Sequence, residues 1–519
     1  MTHSSEITPC LLPVAPASGS VLASIPIASP QQIAQAAAQA RSAQLAWSQT
    51  PLGDRVAFIQ RWHDQIAARQ SRWIDLLARE IGKPHVETLS ELAATLDQLR
   101  WLARHARACL RSATLQPAWQ RFMLLGKARV RYAPKGLIGI LGTWNYPLLL
   151  NAPVLAGALL AGNAVLWKPS ESASLSGAAL QQSLLDAAPP PNLAACVFGG
   201  PEVGRALIAS GIDHLVYTGG VAGGRAALQE AGSRGIPATI ELAGFDPALI
   251  LPDAPLESTI PPLLWAAFAG AGQTCVAIKR IYVIGPPRRA RAWAEALARR
   301  AALLRLGDPA SSNNVDIGPL ISLPARDRFL ASIQYAAAAG AEILTGGRAP
   351  DIPGAFALPT VLWTESERIE PLLEGIFGPV VLVRPVPDPS AAIAAANASN
   401  LALAASIWGK NRKNCRDLAR RIHAGIITIN DAVTPSAHAA APFGGVKSSG
   451  FGRVHGPHGL LEFVHPVATH ERPLHSFRPH IFPYSHRGLR LVEMYLRLFH
   501  SPPRITSHNP PPSSGSSIS

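Results

Sequence analysis

Charge and sulfur are both scarce in this chain: Asp, Glu, Lys and Arg make up 15% of its 519 residues, and it holds 5 Cys and 3 Met. So low a charge density beside 48% hydrophobic residues excludes an intrinsically disordered chain. The cysteines Cys10, Cys109, Cys196, Cys275 and Cys415 are odd in number, and no two have C-x-x-C spacing. Neither a disulfide framework nor a zinc site is implied. Lysine is rarer than the net charge of +14 suggests, because only 8 of the 47 basic residues are Lys and the arginines are scattered rather than blocked. That pattern lacks the footprint of a nucleic-acid-binding face, and no nucleic-acid partner is expected. Lys and Arg are missing altogether from Met1 to Ser20, which excludes the basic start of a secretory signal and leads to the expectation of a cytoplasmic protein. One long charge-free run exists, 22 residues from Tyr146 to Trp167. It is long enough for a membrane span, but Asn151, Pro153, Asn163 and two glycines inside it favour a buried helix followed by a buried strand.

What is present reads as a globular α/β chain of two to four domains, at roughly 150 residues per domain. Residues 1 to about 28 are rich in Pro, Ser and Ala and predict an irregular arm. From Arg55 the apolar positions Val56, Ile59, Trp62 and Ile66, then Trp73, Leu77 and Ile81, recur at helical spacing, with Gly82-Lys83-Pro84 as the stop. Asp97 to Leu110 continues as helix. Gln116 to Arg131 has strand character, with a hairpin turn at Gly126-Lys127. Five short apolar runs follow: Leu137 to Leu141, Ala164 to Trp167, Ala195 to Phe198, His214 to Tyr217 and Ala238 to Leu242. Their spacing predicts strand-helix-strand crossovers and a doubly wound parallel sheet, whose ligand cleft lies beyond the carboxyl ends of the strands. A second series predicts a second α/β domain: Ala248 to Leu251, Ile281 to Ile284, Val380 to Val383, Ala405 to Trp408 and Ile426 to Ile429. Arg288 to Arg305 is helical between them. The tail from 471 to 519, with six Arg and two Glu, carries an amphipathic run near Gly488 to Phe499 that allows peripheral contact with a membrane. Its last dozen residues are expected to be disordered.

Three residues stand out chemically. Cys275 sits in the Gly-rich turn Gly272-Gln273-Thr274-Cys275, close to Lys279 and Arg280. Backbone amides and cations there would lower the thiol pKa, as a nucleophile requires; the alternative is a buried small hydrophobe. Glu241, at the carboxyl end of a parallel strand, points toward the cleft, where burial raises a carboxyl pKa toward that of a general base. The alternative is an ordinary surface acid. Asn145 ends the first strand and can donate to an oxyanion, or simply form a turn.

Together these residues fall into an ordered series: Pro134-Lys135-Gly136, Trp144-Asn145-Tyr146-Pro147, Lys168-Pro169-Ser170-Glu171, Tyr217-Thr218-Gly219-Gly220, Glu241-Leu242, Gly272-Gln273-Thr274-Cys275, Ile376-Phe377-Gly378-Pro379 and Pro442-Phe443-Gly444-Gly445. In order and spacing the series resembles the NAD(P)-dependent aldehyde dehydrogenase superfamily, over roughly residues 30 to 470. The resemblance implies a Rossmann-like cofactor domain (29–114 and 135–244), a catalytic α/β domain (245–456) and a small oligomerisation arm (115–134 and 457–470). A homodimer or homotetramer is expected. It further implies that Cys275 attacks an aldehyde and that Asn145 and the Cys275 N–H hold the oxyanion. Glu241 then activates the water that hydrolyses the thioester. Relatives that pass the acyl group to coenzyme A usually lack this glutamate. Cofactor contacts are expected from Thr143, Trp144, Lys168, Glu171, Gly219, Gly220, Gly224, Leu242 and Phe377, with no metal. The phosphates would face the helix after Gly219-Gly220-Val221-Ala222-Gly223-Gly224. A carboxylate at Glu171 accepts from a free ribose 2′-OH and repels a 2′-phosphate, so NAD is expected over NADP.

Several positions depart from the family pattern. Ala243 replaces a glycine, Phe245 a lysine, Gly270 an asparagine, Gly375 the second glutamate before Phe-Gly-Pro, and Leu401-Ala402 a Tyr-Gly pair. The missing carboxylate at 375 is expected to loosen the nicotinamide ribose. These changes keep open a different reading, a catalytically weak relative acting as a binding or scaffolding protein. The identity of the aldehyde is not legible.

Overall fold

The computed structural model describes residues 9–115, 127–474 and 482–500. The turn at Gly126 and the last dozen residues lie outside these. The chain divides into two compact units, Met1–Arg111 with Tyr132–Pro466, and Ser112–Arg131 with Val467–Ser519.

The first unit is built on two sheets. In the first, the strands run Gly450–Phe451, Ala238–Leu242, His214–Gly219, Leu137–Leu141, Ala164–Lys168, Ala194–Cys196 across the sheet. The last five are mutually parallel, and the two-residue edge strand is antiparallel to Ala238–Leu242. Leu137–Leu141 is buried along its whole length, which is why it reads as an unbroken apolar run rather than an alternating one. The chain leaves this strand to build outward on one side, then returns to build on the other. The switch point therefore lies between Leu137–Leu141 and His214–Gly219, and their carboxyl ends open a crevice. The charge-free run resolves as expected into a buried helix, Ala152–Leu160, and the buried strand Ala164–Lys168. Among the described residues no helix is long and apolar enough to cross a membrane.

The second sheet runs Glu342–Thr345, Thr360–Trp363, Val380–Val386, Ile278–Ile284, Asp246–Ile250, Ala404–Trp408, Ile426–Ile429. It is parallel except for Glu342–Thr345. The strands Glu342–Thr345 and Thr360–Trp363 have no counterpart in the sequence reading: the first is half polar and the second follows directly on Pro359, so neither stands out as an apolar run. Helix Pro30–Gln49 was equally invisible. Between the buried Ile33 and Trp47 its inward positions are small or polar, Ala37, Ala40 and Gln44, and its start is fixed by a reciprocal cap between Ser29 and Gln32. The stop at Gly82 is a left-handed C-cap, φ 70°.

In the second unit, Ala113–Leu115 pairs antiparallel with Lys127–Pro134 in a three-stranded sheet that Val464–Glu471 completes. Helix His486–Phe499 begins at a Ser485 cap that accepts from the Gly488 amide at 3.0 Å.

Candidate active site

Thr143, Trp144 and Asn145 follow directly from the end of strand Leu137–Leu141, and Glu241 lies at the end of Ala238–Leu242, paired in register with Thr218. Cys275 arrives from the other sheet. The turn before it bends through left-handed backbone at Gly270, Ala271 and Gly272, bringing the thiol back to the crevice just ahead of strand Ile278–Ile284. Cys275, Glu241 and Asn145 all border one cavity of about 500 Å³.

The Asn145 amide is held at both ends. Its Oδ1 accepts from the Thr143 hydroxyl at 3.0 Å, and its Nδ2 donates to the Gln273 carbonyl at 2.9 Å, two residues from the thiol. One amide N–H stays available to a ligand. Glu241 is 4% exposed, and neither carboxylate oxygen has a hydrogen-bond partner among the described residues. Burial pushes its pKa up to about 8. The thiol differs from expectation. Burial, then the nearby Glu241 and Asp246 carboxyls, push the Cys275 pKa well above the ordinary thiol value, while the backbone amides of Val276 and Cys275 pull it down. The expected cations do not serve it. Lys279 donates to the carbonyls of Gly272 at 2.7 Å and Gly378 at 2.6 Å, and Arg280 stacks on Phe245 and bonds its carbonyl. Phe245, where the resemblance led to expect a lysine, is thus a buried platform for Arg280.

Trp144 and Phe377 meet edge to face at 5.8 Å on the rim of the same cavity, with Leu242 beside them. A neighbouring cavity of about 330 Å³ is bordered by Lys168 and Glu171 and shares Thr143, Trp144, Gly219 and Gly220 with the first. Lys168 is buried, donating to the carbonyls of Pro169 and Gly199, and leans on Glu171 at 3.3 Å. Between the two cavities helix Val221–Ser233 starts at Gly220 with no side-chain cap. A Cβ at Gly220 would meet nothing within 4 Å. An uncapped helix start with open space before it suits a pyrophosphate, flanked by room for an adenosine on one side and a nicotinamide on the other. The residues fit a dinucleotide. Gly224, one turn into the helix, borders neither cavity and a Cβ there would meet Leu242, whereas Gly223 borders the second cavity. Gly375 has φ 82°, and the adjacent Glu374 carboxylate is engaged by the Ser399 hydroxyl and the Asn400 amide.

A third cavity, of about 250 Å³, reaches Cys275 from another side. Tyr146, Thr274 and Phe443 on its wall belong to the motifs read from the sequence, but sequence reasoning missed others, among them Glu87, Trp265 and His455. It also missed Lys83 and Glu91, a buried ion pair behind Asn145. Lys83 donates to the Asn145 carbonyl at 2.7 Å and lies over the Tyr146 ring at 3.8 Å, while Glu91 accepts from the Leu148 amide at 2.8 Å. Lys83 had registered as part of a helix stop; its partners are remote in sequence, so no local signal marks it. Among the described residues no group of three or more His, Cys, Asp and Glu is placed to hold a metal ion.

A thiol, a buried carboxylate and an amide gathered beside a dinucleotide-shaped crevice define a nicotinamide-dependent enzyme class. The chain belongs to the aldehyde dehydrogenase family, whose sequence profile matches residues 4–468. It is similar, at 34% identity over 490 residues, to a 4,4'-diapolycopene aldehyde oxidase of Methylomonas sp, covering 93% of this chain and 90% of that one. A Mycobacterium tuberculosis protein provisionally designated succinate-semialdehyde dehydrogenase (NADP+) 2 is 33% identical over 448 residues, 86% of this chain and 85% of its own. In structure the chain is similar to a Mycobacterium tuberculosis aldehyde dehydrogenase complexed with NAD+, with a TM-score of 0.85, 30% identity, and 91% and 96% of the two chains covered. It is an α/β enzyme of aldehyde oxidation in a family that uses NAD or NADP. The scaffolding alternative finds no support in these likenesses.

Proposed function

We propose that the protein oxidises an aldehyde to its carboxylic acid, with Cys275 as nucleophile. The observation that carries this reading is that Cys275 borders both the crevice that fits a dinucleotide and a separate cavity of its own. The Cys275 thiol gives up its proton to solvent through the cavity as its sulfur attacks the carbonyl carbon, and the oxyanion of the resulting thiohemiacetal is held by the free Asn145 N–H and the Cys275 amide. The bound nicotinamide supplies a hydride acceptor. Loss of hydride from the thiohemiacetal leaves a thioester on Cys275. Glu241 then takes a proton from water, the hydroxide displaces the thiolate, and the acid leaves. Both Glu241 oxygens are sealed from solvent in this conformation, so the carboxylate turns toward the cavity for that step. Aldehyde-dependent NADH formation tests the reading: Cys275→Ser is expected to abolish it, and substantial residual turnover would overturn the assignment.

NAD is the proposed cofactor. Glu171 borders the adenosine side with its side chain 48% exposed, free to accept from a 2′-OH. Comparing kcat/KM for NAD and NADP checks this; Glu171→Gln should narrow the preference.

Two further readings concern the rest of the molecule. The three-stranded sheet leaves strand Ala113–Leu115 exposed as an edge, and we assign it to homodimer or homotetramer formation. The proposed location is the cytoplasm, where thiols such as Cys109, Cys196, Cys275 and Cys415 stay unbridged. Helix His486–Phe499 has His486, Arg490, Glu493, Arg497 and His500 at three-to-four-residue spacing along one stripe, while Leu489, Leu496 and Leu498 are exposed elsewhere on it. That combination fits an anionic membrane surface.

A further inference from the structure

Within the aldehyde-oxidising reading, we propose that the cavity behind Cys275 selects uncharged, apolar aldehydes and rejects aldehydes that also carry a carboxylate. The wall carries the apolar side chains of Leu149, Leu150, Val433 and Phe443 and the ring of Tyr146, alongside the hydroxyls of Ser90, Thr434 and Ser436. Among its solvent-facing residues Val86 is 73% exposed and Trp265 46% exposed, an apolar side chain from each of two helices, with Ser90 and Thr434 exposed as well. Among the described residues that border it, none is Lys or Arg.

The titratable groups on the wall reinforce the selection. Glu87 and Glu91 are acids, and Glu87 accepts from the Gly270 amide at 2.9 Å. His455 stays uncharged at neutral pH, since burial lowers its pKa to about 4. Lys83 is near but is not on the wall: it is buried, paired with Glu91 and bonded to the Asn145 carbonyl behind Tyr146. A substrate carboxylate entering here would exchange its hydration for a few hydroxyls, those of Ser90, Thr434 and Ser436, and would face two acids with no cation on the wall to pair with. An alkyl chain meets the opposite situation. Each methylene removed from water favours binding by roughly fourfold, up to the length that fills the cavity.

The test uses the full chain and NAD. Initial rates with linear alkanals from propanal to nonanal should give kcat/KM values that climb with length before levelling. Succinic semialdehyde should fall at least about tenfold below its own methyl ester, which has the same reach without the charge. A flat series, or an acid as good as its ester, overturns the proposal. Trp265→Gln should flatten the climb, lowering kcat/KM for nonanal more than for propanal; an unchanged slope counts against it. A second measurement needs no turnover. Mapped by mass spectrometry, iodoacetamide labelling of Cys275 should be slowed by octanol and left unchanged by succinate at equal concentration. Protection by succinate and none by octanol would overturn the proposal even if no aldehyde is oxidised, a result that would separately sink the catalytic reading.

Discussion

A carboxyl group that is buried and unpartnered ionises only when the pH overcomes its burial, and for Glu241 that point lies near 8. As a base it works deprotonated. Where deacylation limits turnover, the rate should rise from pH 6 to 8 and level above, as steady-state rates in a constant-ionic-strength buffer series will show. Glu241→Gln should erase that rise and produce a stoichiometric burst of NADH followed by slow turnover, seen by stopped flow. Free coenzyme A yielding an acyl-CoA product from the native protein would point instead to acyl transfer. Gly375 poses a different question. A glutamate there would restore the missing ribose contact, but φ 82° is left-handed backbone, which costs an L side chain about 1 to 2 kcal/mol. Gly375→Glu should therefore lower the urea midpoint. With Glu374 engaged by Ser399 and Asn400, the native enzyme should also show a primary isotope effect on kcat with an aldehyde deuterated at its carbonyl carbon. Absence of the effect would mean that another group steadies the ribose.

At the scale of elements, the first turns of helix His85–Cys109 matter more than their sequence suggests. Lys83, just before it, and Glu91, inside it, form the buried pair that holds the Asn145 segment. Lys83→Met should cost about 3 to 5 kcal/mol by leaving Glu91 buried without its partner, measurable by urea unfolding. It should also lower kcat more than it raises KM, because Asn145 would lose its backbone anchor. None of this was legible beforehand, since an ion pair spanning eight residues across a helix start looks like any other charged pair until the fold buries it. Apart from Thr360–Trp363, the parallel strands of the two large sheets were legible to within a few residues, as strands covered on both faces are continuous apolar runs. Cys275, Glu241 and Asn145 were found through their turns and strand ends, and the structure brings them to one cavity. What misled was the inference from neighbours in sequence. Lys279 and Arg280 follow the thiol closely, yet the strand they enter directs both to carbonyls.

For the whole molecule, the amphipathic helix His486–Phe499 makes a separable prediction. Co-sedimentation with anionic vesicles should exceed that with neutral ones and fall with salt, and a chain ending at Arg472 should lose it. Equal sedimentation of both chains would remove the membrane from the picture. The paired cavities at Cys275 carry one more consequence. A sulfur reachable from two sides acts as a partition between two corridors, so reactant and cofactor need not queue at one door. Reduced cofactor can depart while the acyl group still occupies the other corridor, and the vacated side then admits the water that ends the cycle. Traffic of this kind makes a spent cofactor a rival of fresh cofactor but a bystander to the aldehyde: NADH should inhibit competitively against NAD and not against the aldehyde.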